Sequence, residues 1–387
     1  MRRAFGCLSA CLLSLFVFKS IAMAHEKPAL DAPRPAVDIA ILLDTSNSMD
    51  GLIDQAKGQL WTIVNEFAAA KRHGLTPVLR VALFEYGNTS LPAREGYIRQ
   101  VVPLTDDLDA LSEALFALTT NGGDEYCGQV IDEALKRLDW TNEPNAYKAI
   151  FIAGNEPFTQ GPVDYKQACA YAIQHGVAVN TIHCGDYKTG IEGMWAHGAQ
   201  LAEGKYLNID KARAVVHIDC PQDPELIRLN VELNATYLWY GKQGRAAGAR
   251  QAEQDTNARS YGSANAAQRV YSKASSVYSN TATDLVDAVN SDSVDLESVN
   301  DADLPEAMRD MNVEERAAYV QEQAEKRAEI QSQIRALTAE REAYLAKERV
   351  KLAASGGDDT LGDAIVRSVR EQLDSAGFDV KDNAAPE

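Results

Sequence analysis

Hydrophobic positions change period at regular intervals along the first 240 residues. Residues 39–43 form a near-continuous apolar run, the pattern of a strand buried on both faces. Leu52, Ile53, Ala56, Leu60, Ile63, Val64 and Phe67 then recur at the spacing of one helix face. A second strand is predicted over 79–86, ended by Gly87-Asn88, and a third over 97–102. Their short connection predicts an antiparallel pair, with the third strand at the sheet edge. Leu108, Leu111, Leu115 and Leu118 mark another helix. After a turn-rich loop over 119–128 comes one more, through Val130, Ile131, Ala134, Leu135 and Leu138. Strands over 147–153, 177–183 and 205–209 alternate with helices over 164–175, 193–202 and 224–240. This alternation predicts an α/β fold: a doubly wound, mostly parallel six-stranded sheet with helices on both faces.

Beyond residue 240 the pattern fades. Residues 241–312 are rich in Ala, Ser, Asn and Gln, with few aliphatics, and read as a polar, acidic, solvated connector that is partly helical. A helix over 264–289 would have only Val270, Val277, Leu285 and Val289 as its apolar side. The aspartates between 284 and 303 lack the spacing of an EF-hand calcium loop. Residues 313–376 are predicted helical. The stretch 314–351 contains no Pro or Gly and should be one long helix. Its heptad seam is interrupted, which favours packing on its own neighbours over a strong coiled-coil homodimer and leaves the oligomeric state open. Gly356-Gly357 breaks this helix, a short amphipathic helix covers 361–373, and 377–387 reads as a polar tail.

Charge and the N-terminus narrow the function classes. The 387 residues carry a formal net charge of −18, which argues against a nucleic-acid or anionic-membrane partner, because phosphate binding needs basic patches. Residues 1–24 have the form of a secretory signal. Arg2 and Arg3 lead an apolar core over 12–18, and Ala22-Met23-Ala24 is a small-x-small cleavage site. A chain cleaved after Ala24 would be periplasmic or secreted from a bacterial cell, with no transmembrane span in the mature protein. Lipid anchoring at Cys11 is disfavoured because residues 8–11 precede the apolar core. An extended segment over 25–35 follows. Cys127, Cys169, Cys184 and Cys220 remain in the mature chain, and their spacing leaves both disulfides and free buried thiols open.

The candidate chemistry lies where the first strand ends. Asp44-Thr-Ser-Asn-Ser48 places a carboxylate and two hydroxyls in the loop between a buried strand and a helix. In open α/β sheets that edge binds ligands. Asp44, Ser46 and Ser48 offer hard oxygen donors, suited to Mg²⁺, Ca²⁺ or Mn²⁺ and not to zinc or copper. A helix cap and an ordinary turn are the alternative use of the same residues.

With its strand and helix, this stretch resembles the metal-ion-dependent adhesion site (MIDAS) of von Willebrand factor type A (VWA) domains, and the resemblance extends over 36–240. It implies two further ligand loops. Where the family commonly has Gly-Gly-Thr, this chain has Gly122-Gly123-Asp124. Where the family has an aspartate after the fourth strand, this chain has Gly154, followed by Asn155 and Glu156. The resemblance therefore implies a metal site of Asp44, Ser46, Ser48, Asp124, Asn155 and Glu156, with one carboxylate moved between loops. It also implies a protein ligand that donates a carboxylate to the metal.

Enzymatic readings are weaker. The chain has no Gly-x-Ser-x-Gly, Walker or Gly-x-Gly-x-x-Gly motif. His183 and Cys184 are adjacent in a strand and face opposite sides, so they cannot form a nucleophile–base couple. Aspartate-based phosphatases need a second aspartate where Ser46 stands. The expectation is a non-enzymatic, cation-dependent protein-binding module for adhesion or envelope-complex assembly. The alternatives are a scaffold with a vestigial site that works through its C-terminal helices and, less favoured, a metal-dependent hydrolase.

Overall fold

The computed structural model describes residues 34–209, 218–354 and 361–380. The signal over 1–24, nearly all of the 25–35 segment and the end of the tail lie outside the described residues.

Six strands form one sheet. They are β1 (Ala36–Asp44), β2 (Val78–Tyr86), β3 (Ile98–Thr105), β4 (Tyr147–Gly154), β5 (Ala178–Cys184) and β6 (Tyr206–Ile209), in the order β3-β2-β1-β4-β5-β6. Neighbours are parallel except for β2 and β3, which pair antiparallel at one edge as their short connection requires. The central strand β1 shows why its sequence does not alternate between apolar and polar. Val37, Ile39 and Leu43 face one core, Ala40 and Leu42 face the other, and all five are buried.

One face is covered by α3 (Cys127–Arg137), α4 (Tyr165–Gln174) and α6 (Trp195–Leu201), which follows the short α5 (Tyr187–Glu192). The other is covered by α1 (Asp50–Ala69), α2 (Leu108–Phe116) and α7 (Asp223–Asn234). Each fully buried Leu, Ile, Val or Phe in these layers contributes about 1.5–3 kcal/mol.

The C-terminal region departs from its expected course. Residues 241–312 are not a solvated connector. They contribute α8 (Gly241–Ser260), α9 (Ser263–Lys273) and α10 (Leu285–Asn290), and α9 packs against α1 and α7. The single helix expected over 264–289 is two helices. Small and aliphatic side chains such as Ala267, Val270, Leu285 and Val286 are buried here, and an unusual number of polar ones are buried with them. Arg269 is 1 % exposed. It donates to Asp109 at 2.8 Å and Asp255 at 2.5 Å, and its guanidinium lies 4.7 Å from the Trp61 ring centroid. Lys273, also fully buried, donates to Asn230 at 2.9 Å and to Asp255 at 3.1 Å. The Tyr278 hydroxyl donates to the other oxygen of Asp109 at 2.6 Å. Every charge in this group has an opposite partner, the condition under which charges are found in a core.

The predicted long helix is α11 (Val313–Ala354), and it packs on its own chain, against α7, α9 and α10. Arg327 anchors it by donating to Asp284 at 2.7 Å and to the Thr236 carbonyl at 2.8 Å, with its guanidinium 4.0 Å from the Tyr237 ring centroid. Arg341 donates to buried Asp223 at 2.7 Å. The last helix, α12 (Leu361–Ser375), lies against α1 and β6. Its Gln372 accepts from the Tyr147 hydroxyl at 2.6 Å and donates to Asn180 at 2.6 Å, and Arg370 donates to Glu66 at 2.6 Å. The start of the expected polar tail is also docked. Phe378 is buried beneath the Arg72 guanidinium, and Asp379 exchanges both backbone hydrogen bonds with Lys71. Cys127, Cys169, Cys184 and Cys220 are buried free thiols, and burial pushes Cys169 up to about 12 and Cys220 to about 11.

Removing one member of a buried ion group strands the others. Arg269→Ala should therefore cost about 3–5 kcal/mol in urea unfolding of the full chain. A loss below about 1 kcal/mol would show that α9 is held by apolar contacts alone.

Candidate metal centre

Strand order fixes where the site lies. From β1 the chain steps to β2 on one side, and β4 flanks β1 on the other. Connections leaving β1 and β4 therefore diverge, and a crevice opens between the carboxyl ends of these strands. Asp44 is the last residue of β1 and Gly154 the last of β4, so their loops form its two walls.

Asp44 is fully buried. Its Oδ1 accepts the Ser46 backbone N–H at 2.7 Å, a turn that curls the loop back over the strand end. Its Oδ2 is buried and has no hydrogen-bond partner among the described residues. Burial pushes its pKa up to about 7 against the pull of the Ser46 amide and hydroxyl, and the Glu156 carboxylate raises it further. The Ser46 and Ser48 hydroxyl oxygens are 3.1 Å apart. Ser48 donates to Asn155 Oδ1 at 2.9 Å, which joins the two walls of the crevice.

The loop before α3 brings a different acid from the one expected. Asp124 is exposed, and its carboxylate accepts the Tyr126 hydroxyl at 3.2 Å beside an open groove that includes Arg94 and Gln129. Glu125 is the residue turned inward. It is buried, and its backbone N–H donates to Gln160 Oε1 at 3.0 Å. Burial and then repulsion from Asp44 and Glu156 push it up to about 7. Gly87 separates the two acids, at φ +79°. A Cβ there would lie 2.8 Å from both Asp44 Oδ1 and Glu125 Cγ. Backbone bonds lock the loop in this setting, Asn121 N–H to the Thr45 carbonyl at 2.9 Å and Thr89 N–H to the Gly122 carbonyl at 2.9 Å. The segment is loop up to the start of α3 at Cys127, so no sequence period marks which of the two acids turns inward.

On the opposite wall, Gly154 has no room for a side chain, because a Cβ would lie 2.5 Å from the Tyr86 hydroxyl and 3.3 Å from Asp44 Cβ. That hydroxyl donates to the Ala153 carbonyl at 2.9 Å. Tyr86 thus fills the space in which an aspartate at 154 would sit. Asn155 and Glu156 are half-buried at the crevice, with their side chains 3.4 Å apart. Trp195 Nε1 donates to the Glu156 carbonyl at 2.8 Å and fixes the loop from behind.

The structure therefore brings Asp44, Ser46, Ser48, Asn155 and Glu156 together, adds Glu125 and leaves Asp124 outside. All six groups present oxygen. Among the described residues no three His, Cys, Asp or Glu side chains gather as ready metal ligands, so hydroxyl and amide oxygens would have to share in holding an ion. An unpartnered buried carboxylate oxygen beside a second acid of raised pKa is the electrostatic demand that a hard cation meets.

Comparison with curated proteins finds no match. Three solved structures of low identity are similar. BatB from Bacteroides thetaiotaomicron is 16% identical over 57% of this chain and 100% of its own, with a TM-score of 0.35. The SpRpn10 VWA domain is 17% identical over 46% of this chain and 91% of its own, with a TM-score of 0.34. Proximal thread matrix protein 1 from the mussel byssus, in a structure with a zinc-occupied MIDAS motif, is 16% identical over 45% of this chain and 42% of its own, with a TM-score of 0.34. Likenesses at these TM-scores carry no functional weight. The sequence itself matches the family model of the von Willebrand factor type A domain over residues 38–200. With the six-stranded sheet and the crevice at its switch point, this match shows that the chain carries a von Willebrand factor type A domain.

Proposed function

We propose that the crevice binds a hard divalent cation, Mg²⁺, Mn²⁺ or Ca²⁺, and that the cation-loaded face binds a protein partner. VWA domains generally bind protein ligands. The observation that carries the metal reading is the buried, unpartnered Oδ2 of Asp44 beside Glu125. Asp44 and Glu125 would supply the charge, Ser46 and Ser48 the hydroxyl oxygens, and Asn155 and Glu156 oxygens from the opposite wall. A bound cation supplies a fixed positive charge and a coordination position for a donor from outside. Ser48 and Asn155 lie at the rim and would orient that donor. Three acids around the crevice weaken its pull on a carboxylate, so a neutral oxygen of the partner competes better here than at a site with two.

Binding without turnover is the reading we retain, with export across the inner membrane. Among the described residues no helix is long and apolar enough to cross a membrane. N-terminal sequencing of periplasmic or secreted material should begin at His25, and recovery of a chain retaining Met1 in those fractions would overturn the cleavage.

A ligand that binds only the folded state stabilises it by about 2.7 kcal/mol at a hundredfold excess over Kd. Mg²⁺ or Mn²⁺ should raise the melting temperature of the EDTA-treated protein, and Asp44→Ala should abolish the rise. An unchanged wild-type melting temperature would favour the scaffold reading, in which the C-terminal helices do the work.

The two neighbouring acids separate cleanly. Glu125→Gln should weaken Mn²⁺ binding about tenfold or more, by loss of a charged ligand, while Asp124→Asn stays within about threefold of wild type. Calorimetric titration reads both, and the reverse order would return the carboxylate role to Asp124.

A further inference from the structure

A carboxylate is buried behind the metal loop and has no place in the proposed ligand set. Glu85, next to last in β2, is 2 % exposed. Leu43 is its partner in the β1–β2 register, so it lies on the face of the sheet that packs against α1 and α2. A carboxylate in such a layer needs a partner for each oxygen. One oxygen pairs with the guanidinium of exposed Arg99, directly opposite in β3. The other accepts the Thr45 hydroxyl at 3.2 Å. That hydroxyl also lies 3.3 Å from the Tyr86 carbonyl, but it has one proton, and the carboxylate is the stronger acceptor. Cross-strand pairing with Arg99 is the ordinary use of a glutamate here, and it leaves the second oxygen unexplained.

Thr45 is the joint of the crevice. It stands between Asp44 and Ser46, and its polar groups lead to different elements. Its N–H donates to the Tyr86 carbonyl at 2.8 Å, at the end of β2. Its carbonyl accepts the Asn121 N–H at 2.9 Å, from the loop that carries Glu125. One residue on, the Ser46 N–H closes on Asp44 Oδ1 at 2.7 Å. Two backbone bonds fix two points of Thr45 and leave it able to turn about the line between them. A third bond, through the side chain, removes that freedom. We propose that Glu85 is a positioning residue for the metal crevice: by holding the Thr45 hydroxyl it holds the Asp44 and Ser46 oxygens at one spacing from the Glu125 loop. Loss of an outer hydrogen bond of this kind commonly lowers metal affinity.

The effect on metal affinity rests on the cation reading above, but the effect on the loop does not. In Mn²⁺ titrations of the full chain, Thr45→Val should weaken binding about tenfold, while Thr45→Ser, which keeps the hydroxyl, stays within about threefold of wild type. Glu85→Leu should match Thr45→Val, and the double variant should bind no more weakly than either alone, because all three lose the same bond. Arg99→Gln, which removes an exposed cation and leaves the Thr45 bond, should stay within about threefold. In EDTA, hydrogen exchange of the Ser46 and Asn121 amides should speed up about tenfold in Thr45→Val and Glu85→Leu relative to the Ile150 amide in β4, which reports opening of the whole sheet. Either variant carries the comparison if the other fails to fold. Equal affinity of Thr45→Val and Thr45→Ser, additive losses in the double variant, or a loss in Arg99→Gln as large as in Glu85→Leu overturns the proposal. So do loop amides that change only in step with Ile150. If wild type takes up no Mn²⁺, the cation reading fails alone, and the exchange rates decide the role of Glu85.

Discussion

A mostly parallel sheet has two apolar faces, and neither can be left to water. In this protein that requirement reaches far beyond the strands. On one side α3, α4 and α6 suffice. On the other, α1, α2 and α7 share the work with α8, α9, α11 and α12, drawn from the last 150 residues. Those helices bring fewer aliphatics, among them Val270, Ile334, Val369 and Leu373, and ion groups seat them as well: Arg269 between Asp109 and Asp255, Arg327 on Asp284, and Arg341 on Asp223. Such pairs add little net stability over apolar contacts of the same shape, but they admit one seating only, because any other strands a charge.

This division explains what could be read from the sequence. Strands and helices before residue 240 were legible because their buried positions are apolar and periodic. Leu52 to Phe67 and the run at 39–43 needed nothing else. The region after 240 was legible as helix but not as core. Its inward residues include Gln251, Gln254, Asn265, Arg269 and Lys273, and hydrophobic periodicity does not see a buried charge whose partner lies 160 residues away. α11 was an easier case, since the absence of Pro and Gly sets its length whatever it packs on. Phe378 was missed because one aromatic in a polar tail has no period.

At the crevice the same limits apply on a smaller scale. Asp44, Ser46 and Ser48 follow a strand whose end is visible in the sequence, so their placement followed directly. The loop over 119–126 has no regular period, and whether residue 124 or 125 turns inward depends on Gly123 packing against the Gly87 carbonyl, where a Cβ would sit 2.5 Å away. The absent aspartate at 154 has a steric cause in Tyr86, whose register opposite Asp44 becomes visible only once β1 and β2 are paired.

The clasp between Lys71 and Asp379 carries a consequence for how the molecule is made. Glu66 and Arg370, 304 positions apart, meet in the same place. Until α12 docks, the part of α1 around Glu66 lacks its cover, while α9 and the sheet pack against the rest of that helix. Contacts of such long range form late, because a large loop must close before they bring any gain. A chain wired this way matures only as a whole.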